Sequence, residues 1–204
     1  KFFQKEFGGI MPLEILIDTN KEKGVMKLST LIRMDKINEV IESFPELSRP
    51  VSVVNLVKYS KQAFYKGNPK YYQLPTSQEQ SYIFEYTKNS DGNSDMLNNF
   101  VDSTGQYARI TTLMKDVGTD KMNDIQERLQ QVVKKEFPEE RYNVSFTGKA
   151  LVFLKGTTFL INNLVISLSL AILLIAIFMA FLFRSFRMIL ISLLLDVFLI
   201  AFSP

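Results

Sequence analysis

Asp91, Asn93 and Asp95 stand at alternate positions of "DGNSD", the spacing at which oxygen donors open a calcium loop. Such a loop needs a glycine midway for its sharp turn and a bidentate carboxylate at its end. Met96 and Asp102 hold those places, so the stretch reads as a solvated turn. Gly148 and Gly156 flank "KALVFLK" without the spacing of a phosphate-cradling loop, and they mark instead the bend where a last strand passes into a long helix. The sequence contains no histidine and no cysteine. A zinc cluster, a histidine-based triad, a thiolate nucleophile and a disulfide framework are thereby excluded. No pair of carboxylates stands in for them, and the chain reads as a non-enzyme without cofactor or metal.

One carboxylate sits where water does not reach. Asp196 interrupts "MILISLLLDVFLIAF", and an acidic residue in an apolar run is a candidate proton-coupling or counter-charge site. The run before it, Leu164 to Phe183, carries no charge and is apolar all round, with Ser167 and Ser169 able to bond back to their own helix. At about 1.5 Å per residue, about 20 such residues span the roughly 30 Å of a hydrocarbon core. Arg184 and Arg187 follow directly, and short arginine-bearing turns stay on the cytoplasmic side. The sequence thus predicts an extracytoplasmic domain over residues 1–158, a transmembrane helix over 159–183, a cytoplasmic turn over 184–187 anchored by Arg184 and Arg187, and the start of a second transmembrane helix over 188–204. The chain reads as a fragment that begins just after an earlier transmembrane helix. Its 24 basic and 21 acidic residues nearly cancel, which gives no support to nucleic-acid binding.

Within the extracytoplasmic part the elements alternate. "PLEILIDT" (Pro12 to Thr19) places Leu13, Ile15 and Ile17 on one face of a strand. "STLIRMDKINEVIESFPE" is a helix capped by Ser29 or Thr30, with Met34, Ile37, Ile41 and Phe44 on one face and Pro45 as its stop. "RPVSVVNL" reads as a second strand. The order recurs as strand "YARITTLMKDV", helix "TDKMNDIQERLQQVVKKEFPEE" with Met122, Ile125, Leu129, Val132 and Phe137 on one face, and strand "YNVSFTG". Both helices end in Phe-Pro-Glu, at Phe44–Glu46 and Phe137–Glu139. Two βαβ units predict an α+β fold, a ferredoxin-like split βαββαβ sandwich of four antiparallel strands with both helices on one face. Between the units lies an insertion, about residues 56–97, read as one or two helices. It carries eight aromatic residues from Tyr59 to Tyr86. The rings either cover the sandwich or line a groove for an apolar ligand, and Tyr65, Tyr71, Tyr72 and Phe84 are the candidates to face that ligand.

Four stretches carry a family resemblance: "FGGIMPLEILIDT" at Phe7 to Thr19, "RPVSVVNLVKYSKQAFYKGNPKYYQLP" at Arg49 to Pro75, "VDSTGQYARITTLMKDVGTDKM" at Val101 to Met122, and "GTTFLINNLVISLSLAILLIAIFMAFLFRSFRMILISL" at Gly156 to Leu193. They resemble exporters of the resistance-nodulation-division (RND) superfamily, in particular the MMPL-like branch of Bacteroidetes. The resemblance implies a proton-driven exporter of hydrophobic or amphiphilic, lipid-like substrates in the bacterial inner membrane. The chain would supply one periplasmic porter domain, transmembrane helix two and the start of helix three. Implied partners are membrane lipids, the cargo, the remaining transmembrane helices, the second porter domain and possible further copies in a homo-oligomer. Where the family has a Pro-Asn after "ISL", this sequence has Leu195-Asp196, and the acidic residues used for coupling in the family lie in other helices. Two readings compete with the exporter: an accessory subunit of protein translocation from the same superfamily, and the extracytoplasmic sensor domain of a membrane receptor. Re-entry into the membrane after four residues counts against the sensor.

Overall fold

Alternation of apolar and polar side chains makes Met11–Asp18 a strand, β1, whose odd-numbered residues Leu13, Ile15 and Ile17 are buried. The structure, a computed structural model, describes residues 9–89 and 93–183. It divides into one compact unit ending at Leu154 and a second beginning at Lys155.

In the first unit β1 is the middle strand of a three-stranded antiparallel sheet of order β2-β1-β3, with β2 at Tyr107–Met114 and β3 at Asn143–Thr147. The register places Ile15 opposite Ile110 on one side and Phe146 on the other, and Ile17 opposite Ala108 and Val144. One sheet face is therefore continuous and apolar. Helix α1 (Leu28–Glu42) lays Leu31, Met34, Ile37 and Ile41 into the same core. The later amphipathic helix, Thr119–Glu136, adds Met122, Ile125, Leu129 and Val133. The two helices also touch each other: Arg33 donates to the backbone carbonyl of Glu136, and the Lys36 ammonium lies 3.0 Å from the Glu136 carboxylate. Each stops just short of its Phe-Pro, because proline cannot donate the next helical hydrogen bond. Phe137 then turns into the core and meets Tyr142 edge-on, centroids 5.0 Å apart.

Two local expectations are corrected. Neither Ser29 nor Thr30 caps α1; the cap position is Lys27, and the Thr30 hydroxyl instead donates to the carbonyl of Gly24 at 2.9 Å. "RPVSVVNL" is not a strand. Leu47 and Val51 form single antiparallel bridges to Met114 and Thr111, and from Val53 the chain is helix α2 (Val53–Phe64). Ser52 starts it, because the Asn55 side-chain oxygen accepts from the Ser52 backbone N–H and hydroxyl, both at 3.0 Å. Val53, Val54, Leu56 and Val57 are all buried, the spacing of a helix face, so packing overrides the strand preference of the valines.

The insertion continues with a 3-10 turn (Pro69–Tyr71), α3 (Gln80–Asn89) and α4 (Asn93–Asn98). With α4 numbered, the Thr119–Glu136 helix is α5, and the last helix, Lys149–Phe183, is α6. Ala150, Leu151 and Leu154 from its first turns are buried in the first unit. Gly148 joins β3 to α6 at φ +103°, and a Cβ there would lie 2.4 Å from the carbonyl oxygen of Pro12. Only glycine fits. Gly156 marks no bend; it lies inside α6 with open space around it.

The second unit contains the rest of α6. From Lys149 to Phe181 this helix is long and apolar enough to cross a membrane, and none of its most apolar window is buried. The Ser169 hydroxyl returns to the carbonyl of Val165 at 2.8 Å, the back-bonding expected of serine in an apolar helix. Arg184, Arg187, the turn between them and Asp196 lie outside the described residues.

Candidate functional site

The helical insertion gathers the aromatic residues around one buried cation. Lys61, on the α2 face that also carries Val54 and Val57, is 2% exposed. Its ammonium lies 2.7 Å from a Glu79 carboxylate oxygen and donates to the carbonyl of Leu74 at 3.3 Å. The same Glu79 oxygen accepts from the Thr76 backbone N–H and hydroxyl, both at 2.9 Å, and the other oxygen accepts from the Tyr65 hydroxyl at 2.8 Å. So many donors on one carboxylate favour its charged form. The Lys61 ammonium, with the Thr76 N–H and the Tyr65 hydroxyl behind it, lowers the Glu79 pKa from 4.5 to about 2 against the opposing pull of desolvation. Tyr65 is held neutral: its contact with the Tyr82 hydroxyl and its donation to Glu79 push its pKa up. A buried ion pair thus pins the start of α3 to the end of α2.

Around this pin the rings form a connected array. Tyr65 stacks on Tyr71 with centroids 4.0 Å apart and planes 13° apart. Phe64 meets Tyr65 at 5.4 Å, Tyr82 at 5.3 Å and Tyr86 at 5.5 Å. Tyr82 and Tyr86, four residues apart on α3, share a helix face. Tyr59 and Tyr72 form a second pair at 4.8 Å, with Lys58 over the Tyr72 ring and paired to Asp35 at 2.6 Å. Much of this array is open to solvent: Phe64 is 44% and Tyr59 61% exposed. Contiguous exposed rings on a folded domain mark an interaction surface more often than scattered single ones do.

Of the four aromatic candidates, Tyr65 and Tyr71 form the stacked centre of the array, Tyr72 sits in the second pair, and Phe84 packs partly buried against the core. The structure therefore brings together Tyr65 and Tyr71 and adds Phe64, Tyr82 and Tyr86. The missed rings had a legible signal, since Tyr82 and Tyr86 are one helical turn apart and Phe84 points elsewhere. Asn93, Ser94 and Asp95 of the expected solvated turn open α4, while Asp91 and Gly92 lie outside the described residues. Among the described residues no group of acidic side chains is placed to hold a metal ion. Asp102 instead closes its own loop, accepting from the backbone N–H of Thr104 at 3.0 Å, from that of Tyr107 at 2.7 Å, and from the Thr104 hydroxyl. Burial works to raise its pKa, but these hydrogen bonds outweigh it and the net shift is downward.

An exposed aromatic array and a bilayer-length apolar helix in one chain narrow the comparison to membrane proteins. The family model of the MMPL family matches residues 26–201. The chain belongs to the MMPL family. No curated protein matches it. MMPL proteins are RND-type membrane transporters, so this is a chain of a membrane transporter family. The match spans the α1 core helix, the insertion and the apolar helix alike, and so the aromatic array is part of the MMPL region.

Proposed function

We propose that this chain is part of a proton-driven RND-type exporter of hydrophobic or amphiphilic, lipid-like molecules, in which the unit ending at Leu154 is a periplasmic porter domain. The observation that carries the reading is the ring array of exposed Phe64, Tyr82 and Tyr86 and half-buried Tyr65 and Tyr71 in an MMPL chain that also holds a bilayer-length apolar helix. Apolar cargo binds where solvent-facing rings are already assembled and no core residue has to move. Transport in the inner membrane, with Arg184 and Arg187 on the cytoplasmic side, follows from the charge rule for short loops. The porter domain is assigned a split βαββαβ plan. Support comes from the order β2-β1-β3 and from the bridges of Leu47 to Met114 and Val51 to Thr111, which occupy the place of the missing edge strand beside β2.

The test is export by the full-length protein in everted vesicles energised by a proton gradient. Replacing the exposed rings Phe64 and Tyr72 by alanine is expected to change which amphiphiles are moved while uncoupler sensitivity stays as in the wild type. Export of every amphiphile at wild-type rates by the double variant would remove the cargo role of the array, and export indifferent to uncoupler would remove proton drive.

A further inference from the structure

Between Leu47 and Gln78 the sequence has no acidic residue, while Arg49, Lys58, Lys61, Lys66 and Lys70 are all basic. Lys58 and Lys61 are paired, to Asp35 and Glu79. Lys66 and Lys70 are exposed and, among the described residues, have no ion pair. They stand on either side of "GNP", the tip that joins α2 to the 3-10 turn.

The tip is rigidly built. Gly67 N–H returns to the carbonyl of Gln62 at 2.8 Å and Lys66 N–H to that of Ala63 at 3.0 Å, a Schellman closure of α2. The Gln62 side chain donates to the carbonyl of Gly67 at 3.0 Å, and the Asn68 side chain accepts from the Lys70 N–H at 3.1 Å. In this closure the residue after the helix cap takes the left-handed conformation, a place that glycine fills at no steric cost. Lys66 occupies it at φ +58°, with Gly67 the next residue. A lysine thus stands where the backbone prefers glycine, and its exposed side chain lies at the tip. Strain of this kind at an exposed position is a reason to look for a ligand. The neighbours along the chain are the rings: Phe64 and Tyr65 before Lys66, Tyr71 and Tyr72 after Lys70.

We propose that this tip is the headgroup clamp for an anionic amphiphile, a cargo molecule with one negatively charged group on an apolar chain. Lys66 and Lys70, their Cα atoms at most about 14 Å apart by chain length, take the anionic group between them. The apolar chain lies along Phe64 and the rings of Tyr82 and Tyr86, which Phe64 joins to Tyr65. A neutral or cationic amphiphile gains the ring contacts alone. This assignment rests on the export reading and narrows its cargo from lipid-like molecules in general to anionic ones.

The test uses the full-length protein in nanodiscs of zwitterionic lipid, with binding of radiolabelled laurate, dodecanol and dodecylamine measured by equilibrium dialysis and empty discs subtracted. Laurate is expected to bind about tenfold or more tighter than the other two, the effect of two charge-assisted contacts at a partly exposed site. Lys66→Gly and Lys70→Gln together should abolish that preference. Lys66→Gly alone should weaken laurate binding while raising the melting temperature, since it relieves the left-handed backbone. Weaker laurate binding accompanied by a lower melting temperature would mean that Lys66 serves the fold, and would overturn the assignment. So would equal binding of the three amphiphiles, no binding of any, or an undiminished laurate preference in the double variant. Loss of the laurate preference in discs that carry anionic lipid would mean that the lysines take bilayer headgroups, and would overturn the cargo assignment as well. A laurate preference in a protein that exports nothing would leave the clamp standing and refute the export reading.

Discussion

Replacing Glu79 by glutamine removes one charge and one of the two acceptor oxygens, the one that receives the Tyr65 hydroxyl. Glutamine keeps an oxygen that can accept from the Thr76 N–H and hydroxyl, so the local turn survives while the 2%-exposed Lys61 loses its counter-charge. Breaking a buried pair from one side costs about 3–5 kcal/mol, and a surface pair contributes about 1 or less. Glu79 is 15% exposed, which puts this pair between the two limits. The pKa gives a second measure. A fall from 4.5 to about 2 converts at about 1.4 kcal/mol per tenfold change in proton affinity to a ceiling of about 3 kcal/mol, and solvent screening at the partly open carboxylate reduces it to about 2. A loss of about 2 kcal/mol lowers the melting temperature of a domain this size by roughly 4–8 °C. The pH dependence has a definite sign. Because the folded pKa is depressed, the contribution of Glu79 is fully present above about pH 4.5 and is lost as the pH falls toward 2. Thermal unfolding of wild type and Glu79→Gln should therefore differ by that amount at pH 7 and converge as the pH is lowered through this window. Equal melting temperatures at pH 7, or a gap that does not change down to pH 3, would refute the claim that the pair pins the insertion.

Gly148→Ala is expected to cost more than about 2 kcal/mol, because it adds a left-handed backbone penalty to a Cβ that would lie 2.4 Å from the Pro12 carbonyl oxygen; folded yield and melting temperature report it. Ile15→Ala, in the fully buried centre of the sheet, should lower stability by about 3–5 kcal/mol in the same measurement. Ser52→Ala removes the hydroxyl that accepts from Asn38 at 3.1 Å and donates to Asn55, and is expected to cost about 1–2 kcal/mol. For topology, single cysteines at Ser90 and Ser185 should label from outside and only after permeabilisation, respectively; the reverse pattern would invert the proposed orientation.

Where one physical cause dominates, the sequence is a good guide to this fold. The alternation of Leu13, Ile15 and Ile17 located β1, and the spacing of Met122, Ile125 and Leu129 located α5, since in each case one face has to be buried and nothing competes. "RPVSVVNL" misled because two causes compete there. Valine favours a strand, but Ser52 and Asn55 close a helical start, and the spacing of Val53, Val54 and Val57 suits a helix packed on the core. The candidate site was legible as composition and not as geometry. Aromatic density pointed to the insertion, yet the pairing of Lys61 with Glu79 spans a stretch with no regular period. No pattern in the sequence announces a lysine in a left-handed conformation; Lys66 is known only from its backbone angle.

The junction at Gly148 has a consequence for phase. Each residue of an α-helix turns its surface by about 100°, so a single insertion or deletion between Thr147 and Lys149 would rotate Ala150, Leu151 and Leu154 by that angle. These side chains would swing off the core that they now fill. Fixed by one glycine that is costly to replace and three side chains that face inward, the start of α6 is keyed like a shaft in a slot. The phase of the first turns of α6, up to Leu154, is therefore set by the folded domain.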